Sequence, residues 1–306
     1  MTGVSIIIPT INRGAILNET LAAVHAAIEG LDGEVIVVND SKSSKAEVSH
    51  RRMRVLDSPG SGAASARNFG AKVARHGLLL FIDDDILISP RHIRRTLELH
   101  SQNPGACFNF NWKYSDELIR RLDETQMGRF IRAAGQTEYR GWVPDLPWQS
   151  RGIFEAPLLA AFYFSIERKT FLGLGGFDES FKRQGGEDDE FSLRLRRQGV
   201  RLFIDPEESV THNESDRMEL RTKLARLKTG AFNKRQGFEM GRPECRLSFP
   251  LHRRAAYALF SALKPLLITV AEGLPNARFF DPLYSRLVHV LIGTVIFEGY
   301  FRSELD

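Results

Sequence analysis

Leu78-Leu79-Leu80-Phe81-Ile82-Asp83-Asp84-Asp85 runs five apolar residues directly into three acids. A run this short and apolar suits a strand covered on both faces, so the acids should emerge at the carboxyl edge of a sheet. Open α/β sheets bind ligands at that edge. Three adjacent carboxylates repel one another unless a cation, hydrogen bonds or water offset the charge, which makes a divalent metal a natural counter-charge. On its own the triplet fits a solvated acidic turn equally well.

Upstream, Val4 to Ile8 reads as a strand ended by Pro9, and Thr10-Ile11-Asn12-Arg13-Gly14 has the composition of a loop. Leu17, Leu21, Val24 and Ile28 then recur at helical spacing. Glu34 to Val38 is a second apolar strand, ending in Asn39-Asp40-Ser41, and Arg54-Val55-Leu56 is a weaker third. Ser58-Pro59-Gly60-Ser61-Gly62 leads into a helical Ala63 to Ala74 that carries Arg67 and Asn68. Pro90, Ile93 and Leu97 open a helix after the acids, and Cys107 to Trp112 is a further strand.

Strands alternating with helices, with polar clusters after the first, second and fourth strands, predict a mainly parallel sheet with its site along one edge. Asp116 to Ala134 reads as one helix. Residues 135–154, with Trp142, Pro144, Pro147 and Trp148, show no period and read as a loop pinned by aromatic burial, or one that stacks on sugar rings.

The 306 residues allow one large domain, or a domain of about 200 residues with an extension. With 42% apolar and 26% charged residues the chain is ordinary for a soluble protein, and a net charge of +4 without zinc-finger or RNA-binding motifs predicts no nucleic-acid partner. Cys107 and Cys245 form no CxxC pair and read as reduced thiols. Together with an amino terminus that passes straight into Val4, they predict a cytoplasmic protein, peripheral at the inner face of the membrane if it touches membrane at all.

In this order the segments resemble the nucleotide-sugar glycosyltransferases of family 2, which have the GT-A fold, over residues 4–212. Four pieces carry the opening half of the resemblance: Ser5 to Arg13, Val37-Val38-Asn39-Asp40-Ser41, Gly62 to Gly70 with its Ala66-Arg67-Asn68, and Phe81 to Asp85 as the "DxD" signature. Ile11 stands where a tyrosine is more usual, and Asn39 replaces the first of two common aspartates. The fifth piece, Gly175-Gly176-Phe177-Asp178-Glu179-Ser180-Phe181 followed by Gly185-Gly186-Glu187-Asp188-Asp189-Glu190-Phe191, resembles the acceptor side of chondroitin-polymerase and galactosyltransferase-type enzymes.

The resemblance implies a GT-A domain over 1–215 and a helical extension over 216–306. It implies transfer of a sugar, UDP-linked by default, to a glycan, lipid-linked or small-molecule hydroxyl, with inversion. Pro9, Thr10, Asn12, Arg13, Asp40, Arg67, Asp83 and Asp84 would hold the donor, and Asp85 with His212 would ligate Mn²⁺ or Mg²⁺. Asp188 would be the general base and Glu187 an acceptor contact. As the residue types require, a carboxylate must accept the hydroxyl proton, and a helix amino terminus favours its ionised form. A catalytically inactive nucleotide-sugar-binding domain and a sugar nucleotidyltransferase are the alternatives; the latter wants a glycine-rich loop that Pro9 to Arg13 lacks.

Beyond Asp216 the chain turns basic, with Arg217, Arg221, Lys223, Arg226, Lys228, Lys234 and Arg235. Ala255 to Val270 is apolar but broken at Lys264-Pro265, and Leu287 to Phe301 is broken by His289 and Glu298. Core packing or a homodimer interface is the first reading of these helices and peripheral membrane contact the second; two bilayer spans are not expected.

Overall fold

In the computed structural model, residues 3–11, 13–41, 53–60, 62–140, 147–181, 185–214 and 218–302 are described. Asn12, Ser61, Trp142, Pro144 and Arg217 lie outside them. The chain divides into two compact units, the first formed by Met1–Ser115, Glu138–Lys182 and Glu187–Asn213, the second by Asp116–Thr137, Arg183–Gly186 and Glu214–Asp306.

The first unit opens with β1 (Val4–Thr10), α1 (Gly14–Ile28), β2 (Gly33–Asn39), β3 (Met53–Asp57), α2 (Ala63–Val73) and β4 (Leu78–Ile82). Parallel pairing places β1 between β2 and β4, with β3 outside β2. Every residue of β1 and β4 is buried, as strands covered on both faces require. Helix α2 can approach because residue 70 is glycine: a Cβ there would sit 2.5 Å from Ile7 Cγ2 and 3.4 Å from Val38 Cγ2. Gly70→Val should therefore lose about 3 kcal/mol or more in urea denaturation, since neither β-branched neighbour can move aside inside the sheet.

Next come β5 (Ile86–Leu87), α3 (Pro90–Gln102) and β6 (Cys107–Lys113) in the same unit, then α4 (Asp116–Leu122) and α5 (Gln126–Ala133) in the second. The single helix expected over Asp116 to Ala134 is thus two, because Thr125 caps a new start by accepting a hydrogen bond from the Gly128 amide. The first unit resumes with β7 (Phe154–Glu155), β8 (Tyr163–Glu167), α6 (Arg168–Gly173), α7 (Glu187–Arg197) and β9 (Leu202–His212). Trp148 meets Phe154 edge-on at 5.3 Å, which pins its stretch of loop.

The sheet is mixed, in the order β3-β2-β1-β4-β8-β6-β9-β5, with β7 on β9. Strand β8 runs antiparallel to both β4 and β6. Short apolar runs carry no mark of direction: β1 to β4 pair in parallel and so do β6 and β9, while β8, β5 and β7 run antiparallel to the strands they pair with.

The second unit is completed by α8 (Leu220–Glu239), α9 (Leu251–Gly273) and α10 (Asp281–Phe301). Helix α10 packs against both α8 and α9. Helix α9 passes through Pro265 without stopping, contrary to the break expected at Lys264-Pro265. Proline removes one amide and clashes with the preceding turn, yet a long helix held on a neighbour can tolerate it as a local distortion. Both α9 and α10 are consequently long and apolar enough to cross a membrane by length and composition.

Candidate active site

The geometry that decides the site begins at the end of β4. Strand β8 starts where β4 ends, Ile82 pairing with Tyr163, and the Asp83 amide donates to the Phe162 carbonyl at 3.2 Å. The chain then turns through Asp84 and Asp85 into β5, whose Ile86 pairs with His212 of β9. The Asn213 amide donates to the Asp85 carbonyl at 2.7 Å. Backbone pairing alone therefore brings His212 to the acid triplet from the far end of the unit.

The three acids point to different partners. Asp83 accepts from Arg67 Nη2 at 2.7 Å. Asp84 accepts from the Thr10 hydroxyl and from Arg13 Nη1, both at 2.7 Å, while its carbonyl accepts from Thr20 Oγ1 at 2.8 Å. Asp85 receives Arg13 Nη1 on Oδ2 at 2.6 Å and faces His212 Nε2 from Oδ1 at 3.3 Å. The Trp112 ring meets the His212 ring edge-on at 4.7 Å and fixes its plane.

Asp84 and Asp85 are both buried but titrate in opposite directions. Burial, with Asp85 and Asp83 adding repulsion, outweighs Arg13 and pushes Asp84 up to about 6. For Asp85 burial again opposes ionisation, yet His212 and Arg13 hold its carboxyl well below the usual range. An anionic oxygen beside an imidazole nitrogen, both 11% exposed or less at the side chain, is a donor pair suited to Mn²⁺ and acceptable to Mg²⁺.

Arg67 is the hinge between the two halves of the constellation. Buried on α2, it spans Asp83 and, through Nη1 at 2.9 Å, Glu187 at the start of α7. Next to it, Asn68 clasps the Phe177 backbone from both sides at 2.8 Å and donates to Glu179 at 2.9 Å. Gly176 takes φ +71, and a Cβ there would fall 2.4 Å from Asn68 Oδ1. The Ala-Arg-Asn helix and the Gly-Gly-Phe-Asp-Glu segment are thus two sides of one docked contact.

Asp188 follows Glu187 and stays half-buried. Its Oδ1 accepts from the Asp189 amide at 3.0 Å and its Oδ2 from the Ala161 amide at 3.4 Å. Those amides do not secure the ionised form expected of a helix amino terminus. Burial, followed by repulsion from Glu187 and Asp189, pushes the carboxyl up to about 8 against the pull of Arg67.

Directly after β2, Asp40 Oδ2 accepts from the Gly62 amide at 2.7 Å, which ties the strand end to the start of α2, where Gly62 takes φ +90. Asp40 Oδ1 is buried with no hydrogen-bond partner among the described residues. Pro9 lies in β1 beside Val38. The structure therefore gathers Thr10, Arg13, Asp83, Asp84, Asp85 and His212 by direct contact, and joins Arg67 and Glu187 to them; Asn12 lies outside the described residues. Sequence reasoning missed Thr20, Trp112 and the Ala161 amide. Nothing in an apolar strand or a backbone amide marks them, although the helical register of α1 could have turned Thr20 inward with Leu17, Leu21 and Val24.

Comparison with known proteins follows the same division. Residues 5–158 match the glycosyl transferase family 2 model, and residues 159–248 match a model described as the N-terminal domain of galactosyltransferase. Validoxylamine A glucosyltransferase of Streptomyces hygroscopicus subsp. jinggangensis (strain 5008) is 28% identical over 228 residues, covering 66% of this chain and 53% of that protein. Chondroitin synthase of Escherichia coli is 27% identical over 228 residues, covering 64% of this chain and 32% of that one. The chain thus spans about half or less of the length of these relatives. Among solved structures, a mannosyltransferase from Pyrobaculum calidifontis in complex with GDP-Man and Mn²⁺ shares the fold at a TM-score of 0.56 and 16% identity, over 98% of this chain and 88% of that one. With its first half matched to the family model and its mixed sheet built as a GT-A fold, the chain belongs to glycosyl transferase family 2.

Proposed function

We propose that the protein moves a sugar from a nucleoside-diphosphate sugar, UDP-linked by default, to an acceptor hydroxyl, with inversion and in a metal-dependent way. The observation that carries this reading is the arrangement around Arg67, which ties the donor-side acid Asp83 to Glu187, directly before the acceptor-side Asp188.

On the donor side, Thr10 and Asp40 stand at adjacent strand ends, and Asp40 Oδ1 is left as an acceptor for a donor group on the base or ribose. Asp83 and Asp84 would meet the ribose and sugar hydroxyls. Asp85 and His212 would hold Mn²⁺ or Mg²⁺, which when bound neutralises the leaving diphosphate. Arg13 must then share Asp85, since its guanidinium already lies on Oδ2.

On the acceptor side, Asp188 would take the proton of the attacking hydroxyl. A carboxyl lifted toward neutrality is a stronger base than an ordinary one once ionised. The Asp189 and Ala161 amides hold both of its oxygens and so set its orientation. Glu187, held by Arg67, would meet the acceptor. The base of the nucleotide, the donor sugar and the acceptor define the specificity, and the acceptor classes that fit are a glycan, a lipid-linked hydroxyl or a small molecule.

Calorimetric titration of UDP, GDP, dTDP and CDP, with and without Mn²⁺, tests the donor half. Wild type should bind one nucleotide in a Mn²⁺-dependent manner, and Asp85→Ala should weaken that binding by 10-fold or more, about 1.4 kcal/mol. Absence of nucleotide binding under every condition would refute the transferase reading.

A further inference from the structure

The second unit presents a surface that its own packing leaves open. Along α9, Leu259, Leu263, Leu266 and Val270 recur at spacings of four, three and four, which places them on one helical face. They are 60, 40, 59 and 43% exposed. Between Arg254 and Glu272 the sequence has a single charged residue, Lys264, and it is turned inward. Its Nζ donates to Oε2 of Glu298 on α10 at 2.5 Å, and Glu298 is itself buried. The outer face therefore carries no charge over about 25 Å of helix, of which the stripe from Leu259 to Val270 takes about 17 Å. Beyond its two ends, Leu251 is 81% and Phe279 86% exposed.

Single exposed leucines are normal on a protein surface; an uninterrupted stripe with its only charge withdrawn marks an interaction. The flanking charge indicates the partner. Residues 246–254 contain Arg246, Arg253, Arg254 and His252 and no acid, and all four are exposed. A second copy packed antiparallel along α9 would bring that basic end to Glu272. The Glu272 carboxylate is already committed, receiving Arg221 Nε at 2.8 Å and Nη2 at 2.6 Å. A surface rich in phosphates has no such conflict.

We propose that α9 lies in the plane of an anionic bilayer surface, its leucine stripe in the headgroup–acyl boundary and Arg246 and Arg253 at the phosphates. Length and composition would let α9 cross a bilayer, but the face opposite the stripe is engaged by α10 and carries Lys264 paired with Glu298, which favours a helix lying along the surface with only its stripe immersed. This surface belongs to the second unit and is independent of the transferase reading.

Vesicle flotation of the full chain tests it, using phosphatidylcholine vesicles with and without phosphatidylglycerol. Wild type should float with the anionic vesicles and remain below with the neutral ones. Leu259→Gln/Leu266→Gln, which alters only exposed positions, should lower binding by tenfold or more while leaving thermal stability unchanged. Arg246→Gln/Arg253→Gln should lower it roughly thirtyfold, at about 1 kcal/mol for each cation. Alkaline carbonate should release the protein from the vesicles. Failure of wild type to float, equal flotation of the leucine variant, or retention in carbonate would each overturn the proposal. So would a lipid-free dimer that the leucine variant converts to monomer in analytical ultracentrifugation.

Discussion

Asp188→Asn should bind its nucleotide as wild type does and transfer sugar about 10²- to 10⁴-fold more slowly, the contribution of a positioned general base. The amide keeps the shape of the carboxylate but offers one acceptor oxygen where the Asp189 and Ala161 amides use two, so the pH profile of the wild type is needed to separate lost basicity from altered positioning. The wild-type pH profile carries the same signature. A base lifted to about 8 is ionised only as pH rises through that value, so kcat/KM should climb across the neutral range and level off above it. An ordinary carboxylate would have levelled off near pH 4 to 5. Initial rates from pH 5 to 9, beside calorimetry on the variant, decide the matter; normal turnover in Asp188→Asn removes this residue from the reaction.

Stability moves the opposite way. A carboxyl whose folded value lies above the unfolded one of about 3.9 keeps its proton in the folded state while the unfolded chain releases it. Between about pH 4 and pH 8 the folded state binds more protons, so this group's contribution to stability falls as pH rises and is constant beyond. Asp188→Asn should accordingly gain stability relative to wild type as the pH is raised toward 8. Faster chemistry and a firmer fold cannot both be had at this position.

Arg67→Met carries the second large effect, a loss of about 3–5 kcal/mol, because it leaves the buried Glu187 and the partly buried Asp83 without their shared cation. For a unit of this size that is roughly 10 °C in Tm. The methionine retains the apolar stem against the Phe177 ring, over which the guanidinium sits at 5.6 Å, so lost packing accounts for little of it. Arg67→Lys separates charge from geometry. An ammonium keeps the charge but lacks the fork that reaches both acids at 2.7 and 2.9 Å, so it should recover only part of the loss in a calorimetric scan. Wild-type melting of Arg67→Met would show that the two acids need no shared cation.

How much of this could be read from the chain alone depended on whether the signal was local. The strand from Leu78 to Ile82 announces itself by five apolar residues, and Asp83 to Asp85 mark its end. Alternation with helices placed β1 to β4 in parallel order. The direction of β8 is set by which neighbours it pairs with, and Tyr163 to Glu167 reads the same either way. The route through Pro265 was hidden for a similar reason, since proline's local preference is against a helix and only the packing of α9 on α10 overrides it. The family resemblance implied Arg13 as a donor contact, but not that its guanidinium would lie across Asp84 and Asp85. The elevated Asp188 was out of reach as well, because its position on the helix argues for ionisation, and its surroundings, unseen in sequence, argue against it.

The order in which the cations of the site are synthesised bears on how the chain survives its own production. Arg13 is made 72 residues before its partner Asp85, and Arg67 only 16 before Asp83, so the acid triplet leaves the ribosome with two guanidinium groups already waiting. Glu187 comes 120 residues after Arg67, a delay of about 6 to 24 s at about 5 to 20 residues per second. During that interval β1 to β4 can pair with their charges nearly balanced. What the newborn chain lacks is Glu187 and His212, so the constellation around Arg67 and Asp85 is complete only when translation has passed β9.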